Sequence, residues 1–171
     1  MFKYIALALG SLSSADAYMS DLQLIEDGEG LRLCTYKDTK GIKTVCYGFN
    51  LERGSSARSR VQAAGEDYNK LLNMGCTTQS VCEKLLSTEV QSARGIVQSQ
   101  YGNSISCPAA KAVVVDLAYN LGSGGLAQFK NFKRTIQSGD WNGAARNLQD
   151  SSYCRQVGRR CTRNMSQIKS C

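Results

Sequence analysis

The sequence predicts an α+β fold with a small N-terminal lobe built on a β-hairpin, a connecting helix, and an all-helical C-terminal lobe. Three observations predict it. Apolar alternation is confined to residues 31–47, helical spacing governs most of the chain beyond residue 54, and the run at 109–121 is apolar nearly all round. Strands segregated from helices in this way build α+β layers rather than a doubly wound sheet. The cleft between two such lobes is the default place for a ligand.

The first 17 residues stand apart. Lys3, the apolar stretch YIALALGSL at 4–12 and the small residues around Asp16 have the form of a cleavable secretion signal. The expected organisation is a signal peptide over 1–17 and one two-lobed domain over 18–171. The apolar stretch is shorter than the ~20 residues a membrane span requires, and no later stretch qualifies, so stable membrane insertion is not expected.

After the signal, SDLQLIEDG at 20–28 suits a short helix with Leu22, Leu24 and Ile25 on its apolar face and Gly28 as its stop. Glu29 comes next, at the junction with a strand. In LRLCTYK at 31–37, Leu31, Leu33 and Thr35 alternate with Arg32, Cys34 and Tyr36. Asp38-Thr39-Lys40-Gly41 has Asp first and Gly last, as a turn prefers. Ile42–Tyr47 is the returning strand, ended by Gly48.

Residues 55–74 read as a helix through Val61, Ala64, Tyr68 and Leu71, broken at Gly75-Cys76. A long connecting helix comes after it, capped by Thr77, Thr78 or Ser80, the last with Glu83 as a capping box, and running to about residue 99. Pro108 suits the first turn of the next helix, whose run AAKAVVVDLAYNL is too apolar for a surface position. GSGG at 122–125 ends it. Two more helices are expected, over 127–137 and from Asp140 to Leu148, and the last 20 residues are basic and rich in cysteine.

The formal charge is +7, and Lys3 and Asp16 cancel, so the chain beyond the signal keeps all of it. That charge favours anionic partners or simply solubility. The eight cysteines all lie beyond the signal, and an even number there implies a disulfide framework in an oxidising compartment. Proximity suggests Cys34–Cys46 across the hairpin and Cys76–Cys82 at the start of the long helix, with the other four stapling the C-terminal half. Zinc is the rival use of cysteine, but there is no CxxC pair and no histidine.

The absence of histidine excludes Ser-His-Asp and Cys-His catalysis. Carboxylates remain, and glycoside hydrolysis is the reaction class that runs on two of them. One must hold a proton for the leaving oxygen and the other must be ionised, so their surroundings must differ. Glu29 in apolar sequence and Asp38 in a polar turn meet that requirement. Taken singly, a Glu after a helix, an Asp opening a turn and Thr44 in a strand are ordinary structural residues.

Glu-Gly-Leu-Arg-Leu, then Tyr-Lys-Asp-Thr-x-Gly, then Thr44 and Gly48, closely resembles the catalytic stretch of phage-type lysozymes. The likeness continues through CEKLLSTEVQSARGIV, LAYNLGSGGLAQF and DWNGAARNL. The resemblance implies a lysozyme-like fold and a muramidase that cuts the β-1,4 bond between N-acetylmuramic acid and N-acetylglucosamine in peptidoglycan. It implies Glu29 as general acid, Asp38 as the carboxylate that activates water, and Thr44 as the residue positioning that water. Inversion would place the carboxyl groups roughly 6.5–9.5 Å apart. By position, Gly48, Asn50, Tyr119, Phe132 and Asn147 line the sugar cleft. Arg160 pairs with the glutamate, a contact that favours the ionised form and opposes burial. Phe49 stands where the family often has histidine, so electrostatic help is lost there, and Lys40 replaces an acidic turn residue. Asn50 and Phe132 do not reproduce the family's side chains.

A secreted peptidoglycan hydrolase is therefore the expected function, acting in defence or in digestion of bacteria. It would be a monomer with no metal, no cofactor and no nucleic-acid partner, drawn to the anionic cell-wall surface. One alternative is a chitinase-like glycosidase using the same acids. The other is a non-enzymatic cationic protein acting through Arg155, Arg159, Arg160, Arg163 and Lys169, residues that also suit an ordinary solvated helix face.

Overall fold

A computed structural model describes residues 18–171. The expected signal peptide over 1–17 lies outside the described residues. The chain begins with α1 (Asp21–Glu29), followed by the strands β1 (Arg32–Lys37), β2 (Lys43–Cys46) and β3 (Phe49–Asn50). Then come the helices α2 (Ser55–Ala63), α3 (Tyr68–Leu72), α4 (Gln79–Tyr101), α5 (Pro108–Ala127), α6 (Lys130–Ser138), α7 (Trp141–Gln149), α8 (Ser152–Val157) and α9 (Arg159–Lys169). The strands form one antiparallel sheet in the order β1-β2-β3. The architecture is the expected α+β arrangement of a small sheet-bearing lobe and a helical lobe.

Local chemistry sets the helix ends. Ser20 caps α1 through a reciprocal capping box with Gln23, which satisfies amide groups that a helix start leaves open. Gly28 does not stop this helix. Glu29 is its last residue, and Gly30 turns the chain away at φ 70°. Thr78, one of the three candidates, caps α4 by accepting from the Val81 amide. The 23 residues of α4 span about 35 Å at ~1.5 Å per residue, enough to connect the lobes. Its Leu85, Val90 and Val97 join Val113, Val114 and Leu117 of α5 in the core, all 2 % exposed or less. Each such aliphatic side chain contributes ~1.5–3 kcal/mol by leaving water.

Three elements depart from the sequence reading. The expected helix over 55–74 is two helices, because the chain turns at Ala64-Gly65 and Asp67 caps a new start. GSGG does not end α5. The helix kinks at Gly122, with φ 67° and ψ 179°, and continues to Ala127. The third departure is the stretch 31–37 around β1, whose leucines do not turn inward. Leu31 and Leu33 are each 39 % exposed, and Thr35 is the buried one. The register shifts between Arg32 and Tyr36, and the free edge of β1 takes up a second partner. The Thr35 amide donates to the Gly75 carbonyl, and the Thr77 amide donates to the Leu33 carbonyl.

That second pairing explains a correction to the disulfides. The bridges Cys34–Cys46 and Cys76–Cys82 do not form. Cys34 joins Cys76, and Cys46 joins Cys82. Arg32 is the register partner of Cys46, so Cys34 is not opposite it. Instead Cys34 forms a β-bridge with Cys76 across the other edge. Cys46, at a positive φ of 61°, reaches the first turns of α4. Cys107–Cys171 and Cys154–Cys161 close the C-terminal half, as expected for that group of four. All eight cysteines are thus in disulfides and none is a thiolate ligand. The first bridge clamps the hairpin to the segment leading into α4 and the second to α4 itself, and closing loops of this kind adds ~2–4 kcal/mol each.

Candidate active site

Glu29 ends α1 where β2–β3 and α9 converge on it. Its Oε1 accepts a hydrogen bond from Arg160 Nη1 at 2.6 Å. Its Oε2 faces Gly48, where a Cβ would lie only 2.9 Å away. The Glu29 side chain is 20 % exposed, against 7 % for Arg160. The acid is therefore shielded but reachable, while the base behind it is interior.

Gly48 meets two demands at once, since its φ of 79° is one that L side chains rarely adopt. In Gly48→Ala the left-handed backbone costs ~1–2 kcal/mol, and the new methyl displaces the Glu29 carboxylate. We expect a melting temperature lowered by a few degrees and, if the wall lysis expected from the sequence uses Glu29 as its acid, a loss of that lysis on the order of 100-fold, the penalty a misplaced reacting group carries. Thermal unfolding and turbidity assays on the same preparation separate the two effects.

Asp38 opens the turn that joins β1 to β2. Asp38 Oδ1 accepts from the amides of Lys40 at 2.8 Å and Ile42 at 2.9 Å, so the side chain builds its own turn. Among the described residues Oδ2 has no hydrogen-bond donor. Tyr36 lies within the field of both acids. Burial pushes its phenol above the ordinary value, the Arg32 guanidinium works against that rise, and the charges on Glu29 and Asp38 add to it. Arg32 stands 4.3 Å from the Tyr36 ring centroid.

Thr44 pairs with Tyr36 on one side and Asn50 on the other, so the three share a face of the sheet. Thr44 is 4 % exposed, and its hydroxyl donates to the Ile42 carbonyl at 3.1 Å. The Asn50 Oδ1 accepts from the Glu52 amide at 2.7 Å, which leaves its NH2 group for other partners.

Tyr119 ties the lobes together. Its hydroxyl donates to the Tyr47 carbonyl at 2.7 Å, holding the turn that carries Gly48 against α5. Burial, with the charges of Glu29 and Glu89 adding to it and those of Arg53 and Arg160 opposing it, holds this phenol well above its ordinary range, so it stays a donor. A cavity of about 290 Å³ opens beside Tyr119 where the lobes meet, with Arg53, Glu89 and Gly122 also on its wall. Phe49 is 2 % exposed, but its place is not without charge. The Arg53 guanidinium stands 5.5 Å from its ring centroid and pairs with Glu89 at 2.7 Å.

One expected cleft residue lies in the core. Phe132 is 1 % exposed and packs edge-on against Phe129. Its ring belongs to the core of the helical lobe and not to a sugar-binding wall, because Phe132 and Ile136 are the buried residues of α6. Asn147 is half-buried on α7, with its amide 3.4 Å from Thr135 Oγ1.

Sequence reasoning missed the support behind Arg160. Asp116, 0 % exposed, accepts from Arg160 Nε at 3.2 Å and Nη2 at 2.7 Å. Asn164 donates to the same carboxylate at 2.7 Å. Burial works against the Arg160 charge, but Asp116 and then Glu29 more than offset it, so its pKa is raised. Gly28 leaves room for this guanidinium, which a Cβ there would meet at 2.8 Å. The available signal was Asp116 itself, the one acid in an otherwise apolar run, since a buried charge requires a partner.

The basic cluster is not a uniform solvated face. Besides Arg160, Arg163 pairs with Asp27 and donates to the Leu24 carbonyl, and Arg155 donates to the Asp150 carbonyl. Among known protein families, the model of the phage lysozyme family matches residues 26–163, a span that contains Glu29, Asp38, Thr44, Asp116 and Arg160 and stops one residue short of Asn164.

Proposed function

The chain belongs to the phage lysozyme family, a family of glycoside hydrolases acting on peptidoglycan, and from that premise we propose that it is a secreted muramidase cleaving the β-1,4 bond between N-acetylmuramic acid and N-acetylglucosamine. The observation that carries this reading is the Glu29 carboxyl, 20 % exposed at the mouth of an otherwise interior ionic network. In it, Glu29 gives its proton to the departing glycosidic oxygen. Asp38, with Oδ1 committed to the turn, uses Oδ2 to hold and activate the attacking water. The Thr44 hydroxyl donates to Ile42, so its oxygen is left to accept from that water. Attack by water on the face opposite the proton donor inverts the anomeric centre, which requires roughly 6.5–9.5 Å between the carboxyl groups. Gly48, Asn50, Tyr119 and Asn147 remain as sugar contacts in this reading.

Secretion, with residues 1–17 as a removable signal and 18–171 as one domain, is supported by the four disulfides, which persist in oxidising compartments. Among the described residues no helix is long and apolar enough to cross a membrane. A non-enzymatic cationic role is less well supported, because Arg155, Arg160 and Arg163 are engaged within the fold.

Digestion of purified peptidoglycan tests the reading. We expect products ending in reducing N-acetylmuramic acid, identified by mass spectrometry after borohydride reduction, with the α-anomer formed first by NMR. Products ending in reducing N-acetylglucosamine would assign a different bond, and faster cleavage of chitin oligomers would favour the chitinase alternative.

A further inference from the structure

Arg160 is shared by two carboxylates of unequal position. Glu29 takes one nitrogen and stays partly exposed, whereas Asp116 takes two and is fully enclosed. A guanidinium facing a single carboxylate favours its ionised form. An acid that must donate a proton is poorly served by such a neighbour. A second carboxylate on the same guanidinium offsets much of that field. We propose that Asp116 is a positioning residue that neutralises Arg160, so that Arg160 can fix the Glu29 carboxyl in place without stripping it of the proton it must deliver. This rests on Glu29 being the general acid.

The surroundings leave this role to Asp116. The titratable and charged groups facing the network are Asp27 from α1, Tyr119 from α5, Tyr153 from α8, Tyr36, Arg32 and Asp38 from the hairpin, Arg159 and Arg163 from α9, and Glu89 from α4 with its partner Arg53. Asp27 pairs with Arg163 and Glu89 with Arg53, so these four largely cancel. Tyr119 and Tyr153 are held far above their ordinary range by burial, and the Tyr36 phenol is also raised. These three stay neutral through the acidic and neutral range. Arg32 and Asp38 belong to the open side of the site, where solvent screens them. Asp116 alone among these groups bonds Arg160 from within the core.

Asp116→Asn removes the charge while keeping the shape. The Asn164 Oδ1 is buried without a hydrogen-bond partner, so a flipped Asn164 amide can accept from the new NH2 group on the Oδ2 side, where Arg160 Nε loses its acceptor, while Arg160 Nη2 keeps its bond to the remaining oxygen. With Asp116 gone as an anion, the whole field of Arg160 falls on Glu29. The test compares wild type, Asp116→Asn and the double variant Asp116→Asn/Arg160→Gln, each checked by circular dichroism. Two quantities are followed against pH: the rate of peptidoglycan lysis and the 13C signal of the Glu29 carboxyl.

In Asp116→Asn we expect both the alkaline limb of the rate and the Glu29 titration to move to lower pH by about one unit, the scale of a nearby-charge effect. In the double variant both return to wild type or above. Asp116→Asn that lyses walls with neither quantity moved overturns the inference and leaves Glu29 as the acid. A Glu29 signal that moves while the rate limb stays overturns the assignment of Glu29 as acid, and the inference with it. If the single variant fails to fold, the double variant decides, and a limb below wild type overturns the proposal.

Discussion

Glu29→Gln is expected to abolish lysis of purified peptidoglycan by ~100- to 10,000-fold, the range that a positioned general acid supplies, while the protein still folds. The amide has the shape of the acid and still offers an oxygen to Arg160 Nη1. Gly48 still leaves the side chain its space. What is lost is the transferable proton. The carboxylate is not part of the buried core, so the cost to stability is small beside the loss of rate. Asp38→Asn should also depress lysis, but it weakens the turn that Asp38 Oδ1 organises, so its effect mixes chemistry with folding. Glu29→Gln is therefore the cleaner variant. A circular dichroism spectrum matching wild type, with lysis undiminished, would remove Glu29 from the mechanism and leave cationic binding or a different acid pair to explain any killing of bacteria.

The hairpin is legible in the sequence because local chemistry determines it. Asp38 and Gly41 define a tight turn, Gly48 ends the returning strand, and the strands between them have the right period. The connecting helix is legible for the same reason, as a long apolar stripe with cap residues at its start. The features that stay hidden depend on contacts distant in sequence. Cys34 looks nearest to Cys46, but β1 has a second edge, and the segment at Gly75–Thr77 occupies it. Two-sided pairing of a short strand leaves no mark on residue order. Correspondence of position puts Phe132 in the cleft, whereas its apolar ring follows the inward face of α6. GSGG has the look of a helix end, yet one positive-φ glycine kinks α5 and lets it resume. Resemblance finds Arg160 but not Asp116, although an acid inside AAKAVVVDLAYNL asks for a cation nearby.

Arg160→Met should be the most destabilising single change at this site, at about 3–5 kcal/mol, the cost of removing one partner of a buried ion pair. Methionine replaces much of the arginine stem, so lost packing is a minor part. The larger part is Asp116, which is 0 % exposed and keeps only the Asn164 amide. A more open pair such as Arg94–Asp21, with side chains 47 % and 14 % exposed, offers the contrast, because solvent reaches the aspartate once the arginine is gone and breaking such a pair costs about 1 kcal/mol. Urea unfolding of wild type, Arg160→Met and Arg94→Met measures the difference directly. A loss below about 1 kcal/mol in Arg160→Met would mean that Asp116 finds water or another donor, and that the pair is not closed. A second arm separates folding from function. Arg160→Met/Asp116→Leu removes both charges, and replacing a buried pair with apolar residues is commonly neutral or stabilising. We expect this double variant to recover part of the stability, with about 1–3 kcal/mol withheld by the Asn164 amide that loses its acceptor, and yet to lyse walls poorly, because Glu29 then has nothing to hold its carboxyl against Gly48. Stability regained without activity would show that the buried charges serve the geometry of the acid, since an apolar filling would hold the helices together as well.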